Sequence, residues 1–140
     1  MITAMETEHT IHFCRGPHGR KILGHKRPQA TASPVGRVPR IARLLALAIR
    51  LDGLVLSGQV KDYSELARLG HVSRARISQI TRLLSLAADI QEEILLLPLT
   101  MKGRDKIRER HVRPIAAEMD WKKQRQLWKK QKRLQGISIT

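Results

Sequence analysis

Apolar residues recur at helical spacing from Ile41 onward: Ile41, Leu44, Leu45, Ala48 and Leu51 fall at i, i+3, i+4, i+7 and i+10. That period puts them on one face of an amphipathic helix running to about Asp52. Gly53 and Gly58 bracket its end and the loop beyond. A short second helix starts at Asp62 or Tyr63 and runs through Leu69; Gly70-His71-Val72 is a turn, and Ser73 caps a third helix reaching about Ser85. Asp89 is placed to cap a fourth helix over residues 90–97, with Glu92 and Glu93 in its first turn and Pro98 ending it. Past Gly103, Pro114 breaks or starts a helix, and residues 115–135 read as one long basic helix.

The N-terminal part follows a different pattern. Thr7-Glu8-His9-Thr10-Ile11-His12-Phe13-Cys14 alternates polar and apolar positions, as one edge strand would. Residues 16–40 are punctuated by glycine and proline and read as a linker or an extended arm. The expected fold is therefore all-α. A helical domain over residues 41–100 would carry a basic extended arm (residues 1–40) and a basic helical tail (residues 101–140). Aromatic residues make up only 3% of the chain, so its core must rest on Leu, Ile, Val and Ala, a mix that favours helix packing over a sheet.

Charge sharpens this picture. The chain carries 27 Lys and Arg against 12 Asp and Glu, a net +15. The excess sits in the flanks: residues 41–100 are nearly neutral, with 7 basic and 6 acidic side chains, whereas residues 101–140 hold 13 and 4. A polyanionic partner relieves the self-repulsion of such a chain, and nucleic acid is the first candidate. A membrane is not expected, because no apolar run approaches the roughly 20 residues of a span and the longest, residues 94–99, contains Pro98. Residues 1–10 lack the apolar core of a signal peptide, and the single Cys14 forms no internal disulfide. The expected location is cytoplasmic and nucleoid-associated. No glycine-rich phosphate loop or nucleophile elbow is visible, so neither an enzyme nor a cofactor is expected. His9, His12, Cys14 and His18 match no zinc spacing and read as incidental residues of a polar strand.

The second and third predicted helices carry the most specific signal. Two short helices crossing steeply need a small residue at the contact, which Ala67 supplies, and apolar side chains that lock them together, for which Leu66, Val72, Ile77 and Ile80 are placed. This is the spacing expected of a helix-turn-helix. Ile77, Ile80 and Leu84 form the inner face of the third helix. Ser73, Arg74, Ala75, Ser78, Gln79 and Arg82 occupy the other face, with Arg76 beside them. Arg74 or Arg82 can bond guanine O6 and N7, Gln79 can bond adenine N6 and N7, and Ser73 can both cap the helix and touch a phosphate. The plainer alternative is a helical hairpin whose polar face is merely solvated.

Ser64-Glu-Leu-Ala-Arg-Leu-Gly70, Ser73-Arg-Ala-Arg-Ile-Ser-Gln-Ile-Thr-Arg-Leu-Leu-Ser-Leu86 and Asp89-Ile-Gln-Glu-Glu-Ile94 together resemble the helix-turn-helix of ParB and KorB partition proteins. The likeness implies an all-helical, site-specific DNA reader with Ser73, Arg74, Ser78 and Gln79 on its recognition helix. Gly70 stands one place earlier than that family's turn glycine, which hands the strained turn position to His71. The Gly-Glu-Arg-Arg nucleotide-binding run of ParB is absent, so neither CTP binding nor a sliding clamp is implied. The chain is also similar to small bacterial helix-turn-helix proteins associated with mobile elements, which suggests a recombinase or another DNA-processing protein as a partner.

The flanks supply further candidates. Arg37 and Arg40, in Gly36-Arg37-Val38-Pro39-Arg40, either enter a minor groove much as an AT-hook does or belong to a plain linker. Trp121 and Trp128 lie seven apart, as do Leu127 and Leu134. The tryptophans either pack on the domain, form a dimer contact, or stack on bases or a membrane surface. Around them Lys122, Lys123, Arg125, Lys129 and Lys130 are expected to contact phosphates. The expected function is sequence-specific binding of double-stranded DNA, as a bacterial regulator or mobile-element accessory factor. The rivals are an RNA-binding or ribonucleoprotein scaffold protein using the basic arms, and a protein-interaction module using residues 94–99.

Overall fold

The computed structural model describes residues 36–138, together with the backbone of residues 12–15 and 21–24. The chain divides into two units, Met1–Pro34 and Val35–Thr140. In the first, β1 (His12–Arg15) pairs antiparallel with β2 (Lys21–Gly24), His12 opposite Gly24 and Arg15 opposite Lys21. The expectation of a lone edge strand is thus corrected to a hairpin. Its second strand falls in the stretch read as linker, where Lys-Ile-Leu-Gly is a short β-competent run among turn residues. The strand expected over residues 7–14 begins at His12, and its earlier part lies outside the described residues.

The second unit is helical: α1 (Arg40–Leu56), α2 (Tyr63–Leu69), α3 (Arg74–Thr81), a 3-10 turn (Arg82–Ser85), α4 (Ala88–Leu95), α5 (Glu109–Ala117) and α6 (Trp121–Leu134). α1 buries Ile41, Ala42, Leu45 and Ala48, as its period dictates, and continues four residues past Asp52, through Gly53. Gly53 gives helical backbone without distortion; the chain turns only at Gly58, where φ is +74°. The helix expected to begin after Asp89 begins at Ala88, with Ala87 at its cap. Asp89 lies in the first turn, where its carboxylate accepts from Nε and Nη2 of Arg125 at 2.9 and 3.1 Å.

The largest correction concerns residues 101–140. They are not a tail. Ile107, Val112, Ile115, Ala116 and Trp128 join Ile41, Leu45, Leu83, Leu86, Ile90 and Ile94 in one core cluster. Trp128 is 2% exposed, and its indole Nε1 donates to Glu93 Oε2 at 2.7 Å. Gln124 is fully buried and satisfies its whole amide. Oε1 accepts from the Ala87 backbone N–H at 2.8 Å, and Nε2 donates to the carbonyls of Ser85 and Glu118 at 3.1 and 2.7 Å. A buried amide so bonded costs little and ties α6 to the start of α4 and the end of α5.

The single helix expected over residues 115–135 is two. Pro114 sits inside α5, and the break comes at Glu118, whose backbone is extended. Asp120 then caps α6, accepting from the Lys122 N–H at 2.9 Å. Among the described residues, no helix is long and apolar enough to cross a membrane.

Candidate nucleic-acid interface

α2 begins at an Asp62 cap that accepts from the Glu65 N–H at 2.8 Å, and Tyr63 Oη donates to Asp52 of α1. α2 then closes with two nested bonds: His71 N–H to the Arg68 carbonyl at 3.3 Å and Val72 N–H to the Ala67 carbonyl at 3.0 Å. That pattern requires a left-handed residue one place past the cap, usually glycine. Here the place belongs to His71, at φ +51°, while Gly70 is at φ −84°. A Cβ at Gly70 would stand 3.0 Å from Val72 Cγ2 and 3.2 Å from the Leu66 carbonyl, a tight fit that the Val72 side chain would have to ease. His71→Gly is expected to stabilise the unit by about 0.5–1 kcal/mol by removing the left-handed strain. Urea denaturation measures this, and an unchanged or lower midpoint would count against strain at the turn.

Ala67, Leu66, Ile77 and Ile80 are buried where α2 and α3 meet, as expected, but Val72 is 42% exposed. Ser73 caps α3, its Oγ accepting from the Arg76 N–H at 3.1 Å. Ser73, Arg74, Ala75, Ser78 and Arg82 form an exposed polar strip along α3 and the 3-10 turn, with Gln79 half-buried beside it.

Arg76 departs from expectation. Its guanidinium is turned to α5, where Nη1 and Nη2 meet Glu109 Oε1 and Oε2 at 2.6 and 3.2 Å. The hydrogen bonds to Glu109, aided by its charge and opposed by burial, push the Arg76 guanidinium above its ordinary range. Arg76 is thus occupied inside the protein.

The Gly36–Arg40 segment is not a free arm. Arg37 forms an antiparallel bridge with Thr100 through backbone bonds of 3.0 and 2.8 Å. Its Nη2 donates to the Gly103 carbonyl at 2.6 Å and to Asp105 Oδ1 at 3.3 Å. Gly36 allows this approach: a Cβ there would stand 2.8 Å from Met101 Sδ and 2.9 Å from Leu99 Cβ. Burial raises the Asp105 carboxyl, but the Arg40 N–H, the Thr100 hydroxyl and the Arg37 guanidinium outweigh it and hold it below the usual carboxylate range. The Arg40 side chain remains exposed.

Two grooves meet on this side of the molecule. One runs between α3 and α5, lined by Ser78, Gln79, Arg82, Arg110, Arg113 and Pro114 among others. The second is walled by Arg40, Arg104, Arg108, Arg110 and Arg113, with Asp105 and Glu109. Arg110 and Arg113 line both, so the surface is continuous. Both carboxylates are already engaged, by Arg37 and Arg76, whereas Arg40, Arg82, Arg104, Arg110 and Arg113 form no ion pair with a described residue. Burial, with the charges of Arg110 and Arg108, holds the His111 imidazole below its ordinary value. Among the described residues no cluster of His, Cys, Asp and Glu is placed to hold a metal; His9 and His18 lie outside them.

The α6 residues stand apart. Lys122, Lys123, Lys129 and Lys130 are exposed but line neither groove, and Arg125 is paired with Asp89. Sequence reasoning passed over Arg104, Arg110 and Arg113, which lie in the segment read as a tail. Arg110 and Arg113 are three apart on either side of a helical turn, a signal that was present but hidden by reading Pro114 as a boundary. The chain is thus a mostly helical protein with an arginine-rich groove beside an exposed, capped helix. Compared with protein-family models, with curated proteins and with solved structures, it matches none.

Proposed function

We propose that the chain is a sequence-specific double-stranded DNA-binding protein, in which α2, the turn and α3 act as a helix-turn-helix of the ParB and KorB kind and α3 reads the major groove. The observation that carries the reading is the junction of two surfaces. The polar strip of α3 supplies base-reading side chains, and the arginine groove running from it supplies phosphate contacts that fix their register. Arg74, exposed in the first turn of α3, is suited to guanine, and Ser73 at the cap to a phosphate. Duplex DNA is favoured over RNA because the deep, narrow major groove of an A-form helix does not admit α3. Of the two tryptophans that could stack on bases, Trp128 is buried and Trp121 is exposed. A single reading helix spans few base pairs, so a second copy, or a partner such as a recombinase, would complete the site. Such a protein would act as a bacterial regulator or as an accessory factor to DNA processing.

Selection of bound duplexes from a random pool, with RNA as competitor, tests the proposal. An enriched motif with poor RNA competition supports it, and a palindromic motif would indicate a dimer. No motif, with RNA competing equally, overturns it in favour of an RNA-binding role for the basic groove. Arg74→Ala is expected to weaken binding to the selected site about tenfold, within the range of one bidentate base contact, and to change binding to random duplex far less. Equal losses on both would remove Arg74 from base reading.

A further inference from the structure

Arg76 lies between a carboxylate and an amide. One of its nitrogens, Nη1, donates both to Glu109 Oε1 at 2.6 Å and to Gln79 Oε1 at 3.2 Å, while Nη2 donates to Glu109 Oε2 at 3.2 Å. A guanidinium only donates, so the Gln79 atom that faces it must be the carbonyl oxygen. The amide therefore has one orientation: Oε1 is turned to Arg76, and Nε2, which bonds no acceptor among the described residues, is left for the groove that Gln79 lines. Glu109 reaches this pair from α5, 33 residues further along the chain, and its bidentate grip fixes the guanidinium plane. Both ion-pair partners are largely shielded, with side chains 27% and 21% exposed.

We propose that Arg76 and Glu109 are positioning residues that fix the Gln79 amide as a hydrogen-bond donor, so that Gln79 selects guanine in the major groove and rejects adenine. The usual pairing of glutamine with adenine uses the amide oxygen to accept from N6 and the nitrogen to donate to N7. With one lone pair of the oxygen taken by Arg76, the donor half is the part of the amide left fully free. Guanine offers two acceptors, N7 and O6, that a donating amide can satisfy; thymine offers O4 alone; adenine offers N7 beside an amino group that would go unpaired, and cytosine only its amino group. The specificity of α3 is thereby set partly by a residue on another helix that touches no DNA. This inference rests on the reading of α3 as the recognition helix.

The test compares motifs selected from the same random duplex pool by the wild-type protein, Gln79→Ala, and the double variant Arg76→Met with Glu109→Gln. The double variant removes the donor without stranding a buried charge. The Gln79→Ala motif identifies the base pair that depends on Gln79. Wild type is expected to carry guanine there, and the double variant, its amide free to rotate, is expected to accept adenine about tenfold more readily relative to guanine. An A·T pair at that position, or no position lost in Gln79→Ala, would overturn the inference, and these readouts need no folded double variant. An unchanged preference in a double variant that folds, judged by circular dichroism, would overturn the relay while leaving the DNA reader intact. A wild-type protein that selects no motif would overturn both.

Discussion

Trp128→Ala is expected to destabilise the Val35–Thr140 unit by about 3–5 kcal/mol, a large share of the roughly 5–15 kcal/mol that holds a domain of this size together. Trp128 is the largest fully buried side chain, set among residues from α1, α4 and α5 that have no other bulky aromatic to close over a void. Truncation would also remove the Nε1 donor from Glu93, whose Oε2 accepts from Lys132 Nζ at 2.6 Å. Urea denaturation followed by far-ultraviolet circular dichroism reads the loss without depending on the deleted fluorophore. Trp128→Phe, which keeps much of the ring and loses the hydrogen bond, should fall between. A midpoint within error of wild type would mean that α6 is dispensable to the core.

Arg110→Ala with Arg113→Ala is expected to leave stability nearly unchanged and to weaken binding to every duplex, selected or random. Both side chains are exposed, and neither pairs with a carboxylate among the described residues, which leaves them to neutralise phosphates. Removing both guanidinium groups should flatten the slope of log affinity against log salt by about 1.8, since each neutralised phosphate contributes about 0.9. Lys129→Ala with Lys130→Ala, on the α6 surface outside both grooves, should change the slope less. Salt titrations by fluorescence anisotropy measure both. An equal or larger effect of the lysine pair would move the phosphate surface from the α3–α5 groove to α6.

The region from α1 to α4 was legible in the sequence because its determinants are local. The period of Ile41, Leu45 and Ala48, the caps Asp62 and Ser73, and the buried set Leu66, Ala67, Ile77 and Ile80 all act within one or two turns. The left-handed turn at His71 was legible for the same reason: displacing one glycine by one place leaves only one residue to take the strain. What escaped depends on distant pairs. Nothing near Arg76 announces Glu109, nothing near Arg37 announces Asp105, and no periodicity shows that Gln124 meets Ala87. The dense charge on α6 hid a narrow inner face, because Gln124 and Trp128 are one turn apart and every other residue between Trp121 and Lys130 is exposed. β2 was missed because four residues between turn formers give too short an alternation to register.

The path of α6 also bears on synthesis. Gln124 and Trp128 belong to the last helix of the unit to be translated, yet they complete a core whose first members, Ile41 and Leu45, belong to its first helix. While the chain is being made, that core lacks its largest side chain, and the Ala87 amide lacks its acceptor. A chain without α6 would present α2 and α3 on an open, aggregation-prone body, whereas the finished helix closes it in one step. A chain truncated before Trp121 should therefore be protease-sensitive throughout, and one that runs past Leu134 should not.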